Sequence, residues 1–269
     1  MPRSEFPTAQ RTRTYQLISP EASARAGAED APVLLLVHGS QQSSTVFRAF
    51  TDRMFEGLGL RALYPDGVAH HFNDMRAHLP ERTREEGVDD VDFLTSLCSH
   101  IGARRVIGLG FSNGGHMILR LLRDAPGFLA GGAIFAASRP AEGNILPPTE
   151  PPAPWHPTPL LFCHGTADPL APYGGGLAGV GGRSRGECLP ARESAEFYAR
   201  ANGATGAPAE RRVGENVSVA RWEGAAPVEL WTLEGAGHVI PGQSARLPVL
   251  GEPCSEVRAD RMVAEFFGL

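Results

Sequence analysis

The chain contains no lysine, and its 25 basic residues are all arginine. Set against 30 acidic residues they leave a net charge of −5. That balance excludes the broad basic surface of a nucleic-acid-binding protein. With the many Ala, Gly and Pro residues, the arginine bias reads as coding composition rather than chemistry. Cysteines are few. Cys98 and Cys163 stand in apolar runs and read as buried thiols, whereas Cys188 and Cys254 stand in loop-like contexts. Cys188 and Cys254 can pair, but reduced thiols are the expectation for a cytoplasmic protein. No His, Cys, Asp or Glu grouping has metal-ligand spacing, so no metal is expected. No apolar run approaches the roughly 20 residues that span a bilayer. The opening "MPRSEFPTAQRTRTYQLISP" lacks the apolar region and cleavage site of a secretory signal. A cytoplasmic location without a membrane partner is therefore expected. No internal repeat or linker divides the chain, which predicts a single domain over residues 1–269. Oligomeric state is not legible.

What the sequence does contain is short apolar runs alternating with helical patterns. Val33–Val37, 60–64, 105–110, 132–136, 159–163 and Val228–Leu233 read as strands. Their continuous apolar character predicts a parallel sheet covered on both faces. Residues 12–18 read as an antiparallel edge strand. Ser44 reads as a helix cap ahead of Phe47, Phe50, Met54 and Phe55, with Gly57 or Gly59 as the stop. A second helix begins near Asp89, carries Leu94, Leu97, Cys98 and Ile101 on one face, and ends at Gly102. A third follows Ser112, and the last starts near Ser255. Two segments read as irregular, the Pro-rich 140–158 and the Gly-rich, mobile 173–187. Both fall near the C-terminal ends of strands, where such sheets bind ligands.

The chemistry centres on "GLGFSNGGH", residues 108–116. Gly-x-Ser-x-Gly arises by chance in glycine-rich chains and means little alone. Here it follows a buried strand and opens a helix without an intervening loop, the setting of a nucleophile elbow. The alternative is that Ser112 is a small residue in a glycine-rich turn. A serine hydroxyl also needs a base, and the base an orienting partner. On this fold they follow in the order serine, acid, histidine, each after a later strand. "LLFCHGTADPLAPY" supplies Asp168 and "VELWTLEGAGHVIPG" supplies His238. Asp168 can equally be a turn residue before Pro169. His238 has rivals: His38, which more readily braces a loop, His164, which ends a strand, and His116, one helical turn beyond Ser112. "VLLLVHGSQQSS" ends a strand in polar residues, so the backbone N–H of Ser40 or Gln41 can pair with that of Asn113 as an oxyanion hole. Phe72, Trp155, Tyr173 and Ile240 are candidate walls of the substrate pocket. The short, Pro-rich stretch between the fourth and fifth strands leaves no room for a large helical cap.

Together "LLLVHGS", "LYPDG", "FND", "DDVDFL", "GFSNGG", "FCHGTADPLAPYGGG" and "GAGHVIPG" resemble the poly(3-hydroxybutyrate) depolymerase and feruloyl-esterase-like family. The resemblance runs from about Val33 to the C-terminus. It implies the α/β-hydrolase fold, hydrolysis of carboxylic esters without metal or cofactor, and Ser112, Asp168 and His238 as nucleophile, acid and base. The chain departs from the family pattern at Ser40, where Cys is common, at Val239-Ile240, where Thr-Trp is common, and at Phe72, where Trp is common. These departures favour a small soluble ester over a polymer. A peptidase, a thioesterase and a catalytically silent scaffold on the same fold are the competing readings.

Overall fold

An apolar run such as Val33–Val37 is satisfied only where a strand is covered on both sides. The computed structural model describes residues 3–20, 30–148 and 153–269. In chain order its strands and helices are β1 (Ser4–Pro7), β2 (Thr12–Ile18), β3 (Val33–Val37), α1 (Ser44–Phe50), β4 (Arg61–Pro65), α2 (Arg82–Glu85), α3 (Asp90–His100), β5 (Val106–Phe111), α4 (Asn113–Asp124) and β6 (Gly131–Phe135). There follow β7 (Leu160–Gly165), β8 (Gly176–Val180), β9 (Arg183–Cys188), α5 (Ala191–Ala201), β10 (Ala209–Arg212), β11 (Val217–Trp222), β12 (Val228–Leu233) and α6 (Ala259–Phe267).

Ten strands form one sheet in the order β1-β2-β4-β3-β5-β6-β7-β12-β11-β10. From β4 to β12 neighbouring strands run parallel, and both flanks are antiparallel. Successive side chains of a strand point to opposite faces. Accordingly Val33, Leu35 and Val37 enter one core with Leu94, Leu97, Met117 and Leu121. Leu34 and Leu36 enter the other with Phe47, Phe55, Met262 and Val263. Each such side chain, fully removed from water, contributes about 1.5–3 kcal/mol. Strand order reverses between β3 and β5, since β4 lies on one side of β3 and β5 on the other. A crevice opens at such a point beyond the C-terminal strand ends. The loops carrying Ser40 and Ser112 leave the sheet there.

Several local expectations are corrected. Residues 12–18 do not form the edge, because β1 pairs outside β2 and Phe6 of β1 packs on Phe93 with ring centroids 6.2 Å apart. The cap of α1 is Ser43, whose side chain accepts from Val46 N. The last helix starts at Ala259 rather than near Ser255. The chain just before it is held by other bonds, Gly237 N–H to Glu252 O and Gly242 N–H to Cys254 O, both 2.8 Å. Residues 176–188 form an antiparallel hairpin, β8–β9. All four cysteines are free, and Cys188 is buried in β9. Among the described residues no helix is long and apolar enough to cross a membrane.

Candidate active site

The end of β5 and the start of α4 meet at Ser112, which holds φ 54° and ψ −115°. A non-glycine residue there stores on the order of 1–3 kcal/mol of strain, held in place by its surroundings. Its N–H donates to Phe135 O at 2.9 Å, and its carbonyl accepts from His116 N at 3.0 Å. The flanking glycines are sterically required. A Cβ on Gly110 would strike the backbone of Gly114 and Gly115, and one on Gly114 would strike the carbonyls of Val37 and His38. Two loops from adjacent strands thus touch backbone to backbone. Ser112 caps α4, whose first-turn amides have no intrahelical acceptor and carry partial positive charge.

Asp168 follows β7, and its two oxygens do different work. Oδ1 accepts from the N–H groups of Leu170 and Ala171, both 2.8 Å, which is the turn reading of this residue. Oδ2 faces His238 Nδ1 at 2.7 Å. The same oxygen lies 3.3 Å from His164 Nε2, which also sits 2.8 Å from the Ala171 carbonyl. Burial pushes the Asp168 carboxyl up, but the His238 charge and hydrogen bonds from His164 and His238 outweigh it and hold the group well below the usual carboxylate range. Gly165 lets this loop lie against the next, since a Cβ there would strike the carbonyls of Ala236 and Gly237. His238 is buried, its N–H donates to Leu250 O at 2.6 Å, and its ring packs on Phe111 with centroids 5.0 Å apart. Phe111 immediately precedes Ser112, so the acid–histidine pair is seated against the elbow. His116 is a poorer base, because burial and the nearby Arg76 charge hold its ring neutral.

The two amides considered after β3 are not equivalent. Gln41 N–H donates to His70 O at 3.0 Å and is therefore spent. Ser40 N–H has no acceptor among the described residues. His38 braces this loop as expected. Its Nδ1 donates to Gly39 O at 2.7 Å and its Nε2 accepts from Gly67 N at 3.0 Å. The Asn113 side chain is clamped on both sides. Oδ1 accepts from Phe72 N at 2.8 Å, and Nδ2 donates to Phe72 O at 2.9 Å and Asp74 Oδ2 at 2.6 Å. Asp74 is itself paired with Arg76, Nη2 to Oδ2 at 2.5 Å. In the sequence "LYPDG" and "FND" stand only as family marks. Here Asp66 accepts from Ser44 N at 2.6 Å, while Asn73 and Asp74 tie the elbow to α3 through Asp90.

The expected pocket walls divide. Phe72 is wholly buried against His38, and Ile240 is wholly buried in the core, so neither meets solvent in a cleft. Trp155 precedes the N-terminal end of β7, with Nε1 donating to Asn202 Oδ1 at 3.0 Å and its ring on Tyr198. It lies at the end of the sheet opposite Ser112. Tyr173 is only half-buried and lies beside the site, edge-on to His164 and bonded through its hydroxyl to Thr232 Oγ1 at 2.7 Å. Between β6 and β7 the described residues hold one 3-10 turn, Glu142–Asn144, and no helical cap; residues 149–152 of that Pro-rich stretch lie outside the described residues. The β8–β9 hairpin reaches this end of the sheet instead. Its Arg185 reaches across to Ser40 Oγ and to Glu81 Oε1, the latter at 2.6 Å. A cavity of about 650 Å3 lined by Arg84, Arg120 and Arg123 lies along the flank of α4, away from these groups.

A mostly parallel sheet with helices on both faces and a strained serine after β5 defines an α/β-hydrolase. The structure superposes on an acetyl xylan esterase from Aspergillus awamori with TM-score 0.62 at 13% identity, covering 95% of this chain and 94% of that one. It matches MGS-M1, an alpha/beta hydrolase from a Medee basin deep-sea metagenome library, with TM-score 0.57 at 16% identity over 100% and 99% of the two chains. At such identities the likeness is one of fold. In sequence the chain is 30% identical to the protein named "Putative esterase NocK" of Nocardia uniformis subsp. tsuyamanensis, over 88% of this chain and 73% of that protein. It is 29% identical to feruloyl esterase B of Piromyces equi over 56% of this chain, which spans 29% of that enzyme. No family model matches the chain. The chain belongs to this esterase family of α/β-hydrolases, the carboxylic ester hydrolases.

Proposed function

We propose that the protein is a serine esterase for small soluble esters, with Ser112 as nucleophile, His238 as general base and Asp168 as its orienting acid. The observation that carries this reading is the His238 Nδ1–Asp168 Oδ2 pair at 2.7 Å, packed on the residue preceding a strained serine. With Nδ1 donating to the carboxylate, Nε2 is left as the basic nitrogen. His238 takes the Ser112 proton as Oγ bonds to the ester carbonyl carbon. The carbonyl oxygen becomes an oxyanion held by the N–H groups of Ser40 and Asn113, each such donor being worth about 2.7–4 kcal/mol. The tetrahedral centre collapses, the C–O bond to the alcohol breaks, and His238 returns its proton to the leaving oxygen. Water then attacks the acyl-enzyme by the same route, releasing the acid and restoring Ser112.

The polar groups around the candidate oxyanion residues, Arg185 on Ser40 and the Asp74–Arg76 pair on Asn113, favour a short or hydroxylated acyl group over a long aliphatic one. Aryl and hydroxyacyl esters fall within the same reading. The test is initial-rate hydrolysis of p-nitrophenyl esters from acetate to decanoate, with Ser112→Ala as control. Activity highest at the short chains and abolished in the variant is the expected result. Equal activity in Ser112→Ala, or none with any ester, would overturn it.

A further inference from the structure

The β8–β9 hairpin is glycine-rich and mostly exposed, yet Arg185 in its second strand is only 3% exposed. Burying a guanidinium costs solvation unless it is paired and hydrogen-bonded. Arg185 splits its fork. Nη2 pairs with Glu81 Oε1 at 2.6 Å, while Nη1 donates to Ser40 Oγ. Its backbone is pinned on either side. Asn144 Nδ2 donates to the carbonyls of Arg185 and Glu187 at 3.0 and 2.9 Å, and Ala141 N–H donates to Glu187 O at 3.0 Å. The side chain is thus delivered from a fixed point, over a separation of 145 residues, onto the loop after β3. Ser40 is the residue there whose amide has no acceptor among the described residues, since that of Gln41 is spent on His70.

We infer that Arg185 is a positioning residue for the oxyanion hole: by holding Ser40 Oγ against Glu81 it sets the direction of the Ser40 N–H. The inference rests on the esterase reading above, with Ser40 as an oxyanion donor. Gln41, at φ 62°, turns the chain sharply just beyond Ser40, and His38 braces the loop just before it through Gly39 O and Gly67 N, so the backbone is held on both sides while the Ser40 side chain is held by Arg185. A lysine in place of Arg185 would reach one acceptor but not both, because its ammonium lacks the planar fork.

The test compares Arg185→Met, Ser40→Ala and the double variant in hydrolysis of p-nitrophenyl acetate, with thermal midpoints measured alongside. A misdirected oxyanion donor weakens the transition state more than the bound ester, so the loss belongs in kcat. Each single variant should lower kcat about 10- to 100-fold, the scale of a small misplacement at a reacting centre, with KM within about twofold. The double variant should be no slower than the slower single variant. Ser40→Ala removes one half-exposed hydroxyl and keeps the test open if Arg185→Met fails to fold. A kcat within twofold of the parent in Ser40→Ala, or single effects that multiply in the double variant, would overturn the inference. Ser112→Ala, run in parallel, separates the outcomes. If it retains activity, the esterase reading falls; if it is inactive while Arg185→Met is fully active, only the positioning role falls.

Discussion

Asp168→Asn is the most discriminating single substitution, because the two oxygens of Asp168 have different partners. Oδ1 accepts two backbone N–H groups at 2.8 Å, a place only an acceptor can fill. The asparagine carbonyl must take it, which turns the amide NH2 toward His238 Nδ1, where the carboxylate oxygen stood at 2.7 Å. Two donors cannot face each other there. The imidazole responds by moving its proton to Nε2, and it then presents N–H instead of a lone pair to Ser112. Loss of the working tautomer costs about 10^4 in kcat, or about 5.5 kcal/mol of barrier. KM should change little, since ester binding does not use this proton. The assay is steady-state hydrolysis of p-nitrophenyl acetate near pH 8, with a urea midpoint to show that the variant is folded. Asp168→Ala serves as comparison. It also frees the amides of Leu170 and Ala171 and should lose stability that Asp168→Asn retains. A folded Asp168→Asn enzyme with kcat within tenfold of the parent would refute the assigned pairing.

Gly114→Ala would drive a methyl group into the carbonyls of Val37 and His38, where only backbone can yield. The expected cost is about 3 kcal/mol or more, read as a lowered urea midpoint; a parental midpoint would contradict the steric account. Acid should destabilise the protein before its carboxylates titrate. Burial lowers His38 from 6.5 to about 4, so the folded value lies below the unfolded one. Its neutral form therefore contributes stability fully present above about pH 6.5 and lost as pH falls toward 4, about 3 kcal/mol in all. His116 and His71 are shifted in the same direction by burial. Urea midpoints at pH 7.5 and 5 should differ accordingly, and His38→Gln should reduce the difference; an equal difference in that variant would count against the assignment.

The placement of Ser112, Asp168 and His238 at one end of the sheet was legible because each stands within a few residues after an apolar strand, so that local pattern alone fixes which end of the sheet it occupies. Trp155 shows the limit. An aromatic among prolines reads as a pocket wall, but being before rather than after its strand puts it at the far end. The β8–β9 hairpin was hidden by its composition. Its glycines and arginines lack the apolar alternation that marks a half-buried strand. Arg185 was invisible for the same reason, and because its partners Ser40 and Glu81 are 145 and 104 residues away. The choice between Ser40 and Gln41 turned on one hydrogen bond to His70, set by a left-handed residue that nothing in the sequence around Gln41 announces.

The glycine contacts have one more consequence. Gly114 welds the loop after β5 to the loop after β3, and Gly165 welds the loop after β7 to the loop after β12. The crevice at this end of the sheet is therefore made of two stiff plates, one bearing Ser112 and the candidate oxyanion amides, the other Asp168 and His238. Strand β6 runs between them as the seam. Within each plate substitutions should be strongly non-additive, since backbone presses on backbone. Between plates the links are the β6 ladders, the bonds from Ser112 N to Phe135 O and from Ala136 N to Cys163 O, and the Phe111 ring on His238. Reshaping this enzyme for a bulkier ester is thus less a matter of carving either plate than of choosing side chains along the seam that set how far apart the plates stand.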